Sequence, residues 1–276
     1  MKLARFVQVA SITALALAAA AVSAPAAQAV TIPVACSEKA LVAAVNKANQ
    51  SAAADTLTLT PGCIYVLTTT QGDPNTALPV ITTPIAMVGP ATVTKAPKKL
   101  FRIAKVAGSG ALTLTTGVAF TNGNVKGDGG AILSNGAVTL TQSSLTGNQA
   151  SGNGGGLANI TVAGSRAPAA TFTGGVVSNN VAGSAGGGIF NGTDTLTTTG
   201  VTMLGNHAGT KGGALAAVGS VATTLTSTVI NVNSAGNTAG GVFRSGGVMT
   251  TTSSPITGNI PNNCVGSAPA VPFCTG

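Results

Sequence analysis

The chain has 276 residues, of which 7% are charged, 3% are aromatic and 38 are glycine, and its formal net charge is +8. So few charges exclude a disordered tail, which needs many charges and few apolar groups. The low aromatic content argues against a bulky globular core, so the composition favours a β protein built from small residues and glycine turns.

The first 29 residues have the pattern of a secretory signal peptide. Two basic residues precede an apolar run over residues 6–22, Pro25 ends that run, and Ala27-Gln28-Ala29 fits a small-x-small cleavage site. A transmembrane anchor is the weaker interpretation, because no stop-transfer pattern follows. The sequence therefore predicts a secreted, extracellular or surface-associated protein with no transmembrane segment after residues 1–29 are removed.

Four cysteines lie in two groups near the ends of the remaining chain. An even number of cysteines in an exported protein predicts disulfides. Pairing within each group, Cys36 with Cys63 and Cys264 with Cys274, is the economical choice among three connectivities. A metal site is disfavoured because the sequence has no Cys-x-x-Cys, and a lipid anchor on Cys36 would leave an odd cysteine. We predict neither a metal nor a cofactor.

Residues 37–50, SEKALVAAVNKANQ, are the one stretch with helical periodicity. Ser37 can cap this helix, and its apolar face consists of Ala40, Leu41, Ala44, Val45 and Ala48. We expect the helix to cover the first turn of the fold, within a cap segment spanning residues 30–54.

Two short motifs then alternate along the chain. A glycine pair followed by a small and an apolar residue begins at residues 129, 154, 186, 212 and 240. An apolar-x-x-Asn motif ends at Asn148, Asn180, Asn206, Asn233 and Asn259, and FTNGN, ending at Asn124, looks like an earlier, stretched copy. Alternating Val, Leu, Ile and Thr between the motifs predict short strands. A repeat of this length without helices predicts a solenoid over residues 55–260.

The two motifs have structural explanations in such a solenoid. Glycine pairs turn tight corners between strands. Asparagines at the same position of successive turns are expected to stack as a ladder, in which each amide bonds its neighbours, rather than to bind sugar. Residues 261–276 are rich in proline and contain two cysteines, so we expect them to form a disulfide-closed C-terminal cap.

The alternation of GGAI-type and apolar-x-x-Asn motifs resembles the repeats of polymorphic outer-membrane proteins. The opening CSEKALVAAVNKANQ is similar to the capping helix of secreted right-handed parallel β-helix proteins of the pectin-lyase-like class. The resemblance covers roughly residues 36–264. It implies an all-β, right-handed parallel β-helix solenoid with an N-terminal capping helix and disulfide-closed ends. The membrane barrel of the polymorphic proteins is not expected, because the chain ends at Gly276.

The same class includes pectate lyases and polygalacturonases, which use clustered carboxylates. The five acids of this chain stand at different positions of the repeat, so no pair is expected to converge. His207, the single histidine, is a candidate general base, but we expect no acid or nucleophile beside it, and an exposed turn histidine is the preferred interpretation. The sequence favours a non-catalytic protein, with an atypical polysaccharide lyase or glycoside hydrolase as the alternative.

Two surface features point to binding. Residues 95–105 concentrate positive charge, which suits an anionic polysaccharide or cell-wall polymer, although a solvated loop is the simpler interpretation. The basic candidates are Lys95, Lys98, Lys99, Arg102 and Lys105. Nucleic acid is disfavoured because no aromatic platform accompanies them.

Outward threonines of segments such as TLTLT and VTLTQ are the second feature, because in register they would form a regular array that binds ice or a crystalline polymer. Unequal repeat lengths argue against a strict lattice, and threonine is also simply a good strand residue. The preferred hypothesis is therefore a monomeric, adhesin-like, surface- or polysaccharide-binding protein, with ice or lattice binding as a second alternative.

Overall fold

The computed structural model describes residues 28–161 and 169–276. The predicted signal peptide, apart from its last two residues, lies outside the described residues. The described chain forms an all-β parallel solenoid of about eight turns with one helix, which confirms the predicted solenoid.

Each complete turn visits four parallel sheets in a fixed order, named here sheets 1 to 4. Sheet 1 has nine strands: β1 Thr31–Val34, β2 Asp55–Leu59, β4 Pro84–Val88, β7 Ala111–Thr115, β11 Ala137–Thr141, β15 Ala169–Thr173, β19 Thr195–Thr199, β23 Ala222–Thr226 and β27 Val248–Thr252. Sheet 2 has eight strands: β3 Ile64–Leu67, β5 Thr92–Lys95, β8 Ala119–Thr121, β12 Ser144–Thr146, β16 Val176–Ser178, β20 Thr202–Leu204, β24 Val229–Asn231 and β28 Ile256–Thr257.

Sheets 3 and 4 complete the turn. Sheet 3 has five strands of two residues each: β9 Asn124–Val125, β13 Gln149–Ala150, β17 Val181–Ala182, β21 His207–Ala208 and β25 Ser234–Ala235. Sheet 4 has six strands: β6 Ala104–Val106, β10 Ile132–Ser134, β14 Leu157–Ile160, β18 Ile189–Gly192, β22 Leu215–Val218 and β26 Val242–Ser245. Alternate residues of sheets 1 and 2 point inward and form one continuous apolar core.

The N-terminal end is closed by the predicted helix. Helix α1 spans Glu38–Ala48, and the Ser37 hydroxyl accepts a hydrogen bond from the Ala40 N–H at 3.2 Å. Its buried face packs against β1, β2 and β3. The Cys36–Cys63 disulfide ties the segment before α1 to the segment before β3. The helix and this disulfide together confirm the predicted N-terminal closure.

The C-terminal end is closed by the last residues of the chain. The Cys264–Cys274 disulfide, with a Cα–Cα distance of 6.4 Å, fixes this segment. Val271 is buried against the core, and the Thr251 hydroxyl donates to the Pro272 carbonyl at 2.6 Å. Both predicted disulfides are therefore present.

The predicted asparagine ladder runs through the interior where sheet 2 turns into sheet 3. The side-chain amide of Asn206 donates to Asn233 Oδ1 at 2.9 Å and to the Val177 carbonyl at 2.9 Å. Asn206 Oδ1 accepts from both the backbone and the side-chain N–H of Asn180. The same pattern links Asn148, Asn180, Asn233 and Asn259, and all five side chains are buried. The first four buried amides thus each tie three turns together, and Asn259 ties the last turns to Asn263 of the C-terminal segment.

The earlier copy of this motif departs from the expectation. Asn124 is partly exposed on β9 and its side chain bonds Gln149. Gly123 occupies the ladder position instead, and its N–H donates to Asn148 Oδ1 at 2.9 Å. The ladder therefore ends on a backbone group rather than on a sixth amide.

The glycine corners between sheets 3 and 4 admit no side chain. A Cβ on Gly130 would lie 2.2 Å from the Gly155 carbonyl oxygen of the next turn. Gly129 has φ +69°, a conformation that residues with a Cβ rarely adopt. In the first four pairs the first glycine makes the turn and the second allows close stacking. At the fifth corner Ala239 has the positive φ, and Gly240 is the close-stacking residue.

Unequal repeat lengths do not disturb the stacking, contrary to the sequence expectation. Two residues separate β10 from β11, and two separate β18 from β19, whereas β14 ends at Ile160 and β15 begins at Ala169. The additional residues therefore fall between the end of β14 on sheet 4 and the start of β15 on sheet 1. Strand β15 still pairs in register with β11 and β19.

A second buried polar group lies where sheet 4 turns into sheet 1. The Asn159 side chain donates to Asn191 Oδ1 at 2.8 Å, and Asn191 donates to the Asp194 carbonyl at 3.1 Å. The Asp194 carboxylate is fully buried and accepts a hydrogen bond from the Thr161 hydroxyl. Burial raises the pKa of Asp194 to about 6, and the bond from Thr161 only partly opposes that shift.

Removing one ladder amide is predicted to be costly. We expect Asn206→Ala to lower the free energy of unfolding by about 2–4 kcal/mol, because buried groups of Asn180 and Asn233 lose their partners. The matched control is Asn124→Ala, which shares the sequence motif but lies outside the ladder and should cost less than about 0.5 kcal/mol. Urea unfolding of both variants measures the difference, and equal losses would contradict the structural role of the ladder.

Asp194 is predicted to make the stability of the fold decrease with rising pH. Its pKa is higher in the folded chain than its ordinary value, so the folded state binds the proton more tightly and is favoured by protonation. Stability from this group is complete below about pH 4 and declines as the pH rises through about 6. Between pH 4 and 7, the free energy of unfolding of Asp194→Asn should therefore fall by about 1–3 kcal/mol less than that of the wild type. Thermal unfolding across that range tests this, and parallel pH profiles would contradict it.

Candidate functional site

The basic segment 95–105 does not present five free cations. Arg102 is buried, and its guanidinium donates to the Thr76 hydroxyl at 2.9 Å and to the Asp128 carbonyl at 3.2 Å. Burial lowers its pKa, which the charges of Asp73 and Asp128 partly oppose. Lys105 forms a 2.9 Å ion pair with Asp73. Two of the five candidates thus hold this part of the chain in place.

Three lysines of the segment remain at the surface. Lys98 and Lys99 are exposed on the loop after β5. Lys95 is partly buried at the end of β5, where burial lowers its pKa. The candidate patch for an anionic polymer is therefore smaller than the sequence suggests, and its role in binding stays a prediction.

His207 has a neighbour that the sequence analysis did not anticipate. Its Nδ1 lies 2.9 Å from the Ser234 hydroxyl, because β21 and β25 pair in register on sheet 3. Both side chains face solvent. The sequence analysis expected neither an acid nor a nucleophile beside His207. The Ser234 hydroxyl is a candidate nucleophile there, because the two residues are 27 positions apart in sequence but adjacent across turns.

The carboxylates are occupied by structural contacts. Burial alone would raise the pKa of Glu38, but hydrogen bonds from Thr68 and Thr69 lower it below its ordinary value. Burial alone would likewise raise the pKa of Asp73, but hydrogen bonds from Lys105 and the Asn75 N–H lower it below its ordinary value. Asp55 accepts from the Val30 N–H at 2.7 Å.

The other two carboxylates also accept hydrogen bonds from neighbouring residues of the fold. Asp128 accepts from the Asn153 N–H at 2.6 Å, and Asp194 is the buried group described above. Among residues 28–161 and 169–276, no group of three or more His, Cys, Asp or Glu side chains is placed to hold a metal ion.

The outer face of sheet 1 carries a regular array of threonines. In its last six strands the third and fifth residues are threonine and point outward. Register pairing places them in two adjacent columns. The first column is Thr113, Thr139, Thr171, Thr197, Thr224 and Thr250, and the second is Thr115, Thr141, Thr173, Thr199, Thr226 and Thr252. We call these twelve residues the threonine array.

A common corner after each strand explains why the columns stay aligned. The residue that follows each of these six strands has a positive φ, so every strand ends at the same point of the turn. These residues are Thr116, Gln142, Gly174, Gly200, Ser227 and Ser253. The array ends toward the N terminus at β4, where Ala86 and Val88 take the two positions.

The threonine hydroxyls of the array are free. Within the described residues, none of the twelve hydroxyls takes part in a side-chain hydrogen bond, and all twelve residues are partly or fully exposed. Sheet 2 differs: there the hydroxyls of Thr146 and Ser178 lie 3.2 Å apart and bond each other, and Thr94 accepts from Asn122. The array therefore offers a row of hydroxyls without competing partners among the described residues, in contrast to these positions of sheet 2.

The face around the array is uncharged and consists of small side chains. The outward column beside it consists of Ala111, Ala137, Ala169, Thr195, Ala222 and Val248. Across the described strands of sheet 1, no outward position holds a charged or an aromatic side chain. Small side chains on a hydrogen-bonded sheet make a surface that is level and stiff.

The spacing of the array follows from β geometry. By β geometry, the Cα atoms of threonines in one column are about 4.8 Å apart, and those of the two columns are about 6.6 Å apart. Six strands extend the pattern for about 24 Å. The array is therefore a two-dimensional grid of alternating hydroxyl and methyl groups, which suits contact with another regular surface and contains no acid or base.

No helix in the part of the chain that the structure describes is long and apolar enough to cross a lipid bilayer. Comparisons of the chain with protein-family models, with curated proteins and with solved structures find no match. The resemblance to the pectin-lyase-like class and to polymorphic outer-membrane proteins therefore stays a prediction beyond the parallel solenoid itself.

Proposed function

We propose that this protein is secreted and binds the surface of ice through the threonine array. The observation that carries the proposal is the strict register of twelve outward threonines on one sheet. The two spacings, about 4.8 Å and about 6.6 Å, are close to repeats of the oxygen lattice of hexagonal ice. Hydroxyl groups on such a grid hold water molecules at lattice positions, and the intervening methyl groups fill the gaps.

The rigidity of the scaffold supports this proposal. A surface binds a lattice more tightly when its side chains lose little conformational entropy on contact. Threonine is branched at Cβ and has few side-chain conformations in a strand. The backbone beneath it is fixed on both sides by neighbouring turns, and the buried asparagine ladder ties those turns together.

The composition of the face favours ice over a crystalline polysaccharide. Sugar rings stack on aromatic side chains, and the described outer face of sheet 1 has none. Charged groups hold ordered water of their own and would disturb a lattice, and this face has none either. Ice presents only hydrogen-bonding oxygens, which matches a grid of hydroxyls.

The disulfides support the proposal of secretion. Both disulfides need an oxidising compartment. Together with the signal-like pattern of residues 1–29, they favour a location outside the cytoplasm, where ice forms around cells.

The array is predicted to lose ice binding when its surface is broken. Thr197→Lys places a charged, hydrated side chain in the middle of the first column, and we expect it to reduce thermal hysteresis at least about tenfold, because one projecting group holds the whole face away from the crystal. Thr202→Lys is the matched control, because it adds the same charge in the same turn but on sheet 2, and it should keep the wild-type value. Circular dichroism confirms that both variants are folded.

Two results would contradict the proposal. Absence of thermal hysteresis and of ice recrystallisation inhibition in the wild type would exclude ice binding. An equal loss in Thr197→Lys and Thr202→Lys would show that the effect does not come from the array.

A second candidate function rests on the exposed lysines. Lys98 and Lys99 are free of acidic partners among the described residues, so they can contact an anionic polysaccharide. The double variant Lys98→Gln/Lys99→Gln should abolish salt-sensitive binding to an acidic polysaccharide and leave thermal hysteresis unchanged. Binding that persists in this variant would exclude the loop as the site.

A further inference from the structure

Asp55 places a carboxylate at a core position of sheet 1. Register pairing aligns it with Ile85 of the next turn, and Leu112 and Val138 continue the same inward column. Asp55 is 2% exposed. Among the described residues, no lysine, arginine or histidine forms a salt bridge with it. A carboxylate in such a place destabilises the fold unless a positive group compensates its burial.

The backbone nitrogen of Val30 points at this carboxylate. It lies 2.7 Å from Asp55 Oδ1, and this is the one hydrogen bond to the Asp55 side chain within the described residues. The Val30 carbonyl accepts from the Thr56 N–H at 2.9 Å, so Val30 is held against β2 on both sides of its Cα atom. The same pairing that forms sheet 1 therefore keeps the nitrogen beside the carboxylate.

Val30 is also the residue that follows the small-x-small pattern of the predicted signal peptide. Cleavage after Ala29 would make it the first residue of the secreted chain. Residues 28–30 are exposed and precede β1, so the Ala29–Val30 bond can be cut without breaking any strand pairing. The sequence pattern and the hydrogen bond to Asp55 therefore single out the same nitrogen atom independently.

We propose that cleavage after Ala29 gives Val30 a free ammonium group that forms an ion pair with Asp55. An export peptidase that recognises small residues adds water across the Ala29–Val30 bond. The water oxygen completes the new Ala29 carboxylate, and both water hydrogens go to the Val30 nitrogen. An ammonium compensates the burial of Asp55 better than the uncharged amide does, because opposite charges attract strongly where water is excluded. Processing thus completes the N-terminal end of the core.

This inference rests on the proposed secretion, because only an exported chain meets the peptidase. It does not depend on ice binding, because Asp55 is buried on the inner side of sheet 1 and is separate from the threonine array. A failure of the ion pair therefore leaves the test of the array intact.

The position of the new N terminus is tested on the full chain, residues 1–276, exported by a host that has a signal peptidase. N-terminal sequencing and the intact mass of the secreted protein should identify Val30 as the first residue. A secreted protein that begins elsewhere would overturn the ion pair and leave secretion in place. A chain that keeps residues 1–29 would contradict both.

The ion pair itself is tested by comparing two N termini. One protein begins at Val30, and the other keeps residues 28 and 29, which moves the terminal charge two residues away and leaves an amide at Val30. At a fixed urea concentration within the transition, we expect the ratio of folded to unfolded protein to be about tenfold lower in the longer form, equivalent to about 1.4 kcal/mol. In Asp55→Asn the two forms should unfold alike, because no carboxylate remains.

Asp73→Asn is the matched control, because it removes a carboxylate that pairs with Lys105 instead, and it should keep the tenfold difference. Equal stability of the two forms in the wild type would overturn the ion pair, and so would a difference of the same size in Asp55→Asn. The comparison of wild-type N termini requires no substitution, so it decides the question whether or not Asp55→Asn folds.

Discussion

Exact stacking of successive turns is the constraint on which the rest of this structure depends. Each turn contributes one strand to each sheet, so any slip of one residue would turn inward side chains outward. Two features prevent a slip. The buried amides bond the turns before and after them, and the glycine corners allow the backbones to approach where no Cβ fits. The fold is therefore a set of nearly identical layers held at a fixed spacing.

Because of this constraint, threonine, a common strand residue, forms a regular array in this protein. A single outward threonine on a β-strand needs no special explanation. Six turns in register produce two columns of threonines, and the same corner after each strand keeps the columns straight. The polar groups that vary between turns lie elsewhere: the ion pair of Lys105 and Asp73 is near the N-terminal end, and the contact of His207 with Ser234 is on sheet 3. The uncharged outer face of sheet 1 contains neither the ion pair nor the His207 contact.

The distribution of stability has the same origin. The hydrogen-bonding groups of the ladder amides are fully satisfied. Asp194 is instead a buried carboxylate, and its raised pKa means that it destabilises the fold at neutral pH. It lies next to the first residue of β19, at the corner that leads into the threonine sheet. A buried acid in one turn is tolerated because neighbouring turns hold the strand on both sides, which is how solenoids distribute stability among their repeats.

Much of the fold could be predicted from the sequence, because its signals are local. The spacing of Asn148, Asn180, Asn206, Asn233 and Asn259 indicated the ladder, and the apolar face of residues 37–50 indicated the helix. Contacts across turns could not be predicted in the same way. The burial of Arg102 and the neighbour of His207 depend on which residues face each other in adjacent turns.

The register of the threonines was missed for the same reason. Repeat lengths alone do not say where additional residues are placed, and in this protein they fall between the end of β14 and the start of β15. The sequence therefore contained the threonines of the candidate site but not their alignment.

Ice-plane affinity is the measurement that tests the central claim most directly. A fluorescently labelled sample is frozen slowly into a single ice crystal, and the planes that incorporate the protein are imaged. A grid with two fixed spacings predicts fluorescence confined to a defined set of crystal planes. Exclusion of the protein from the crystal, or uniform incorporation without any plane preference, would contradict the account.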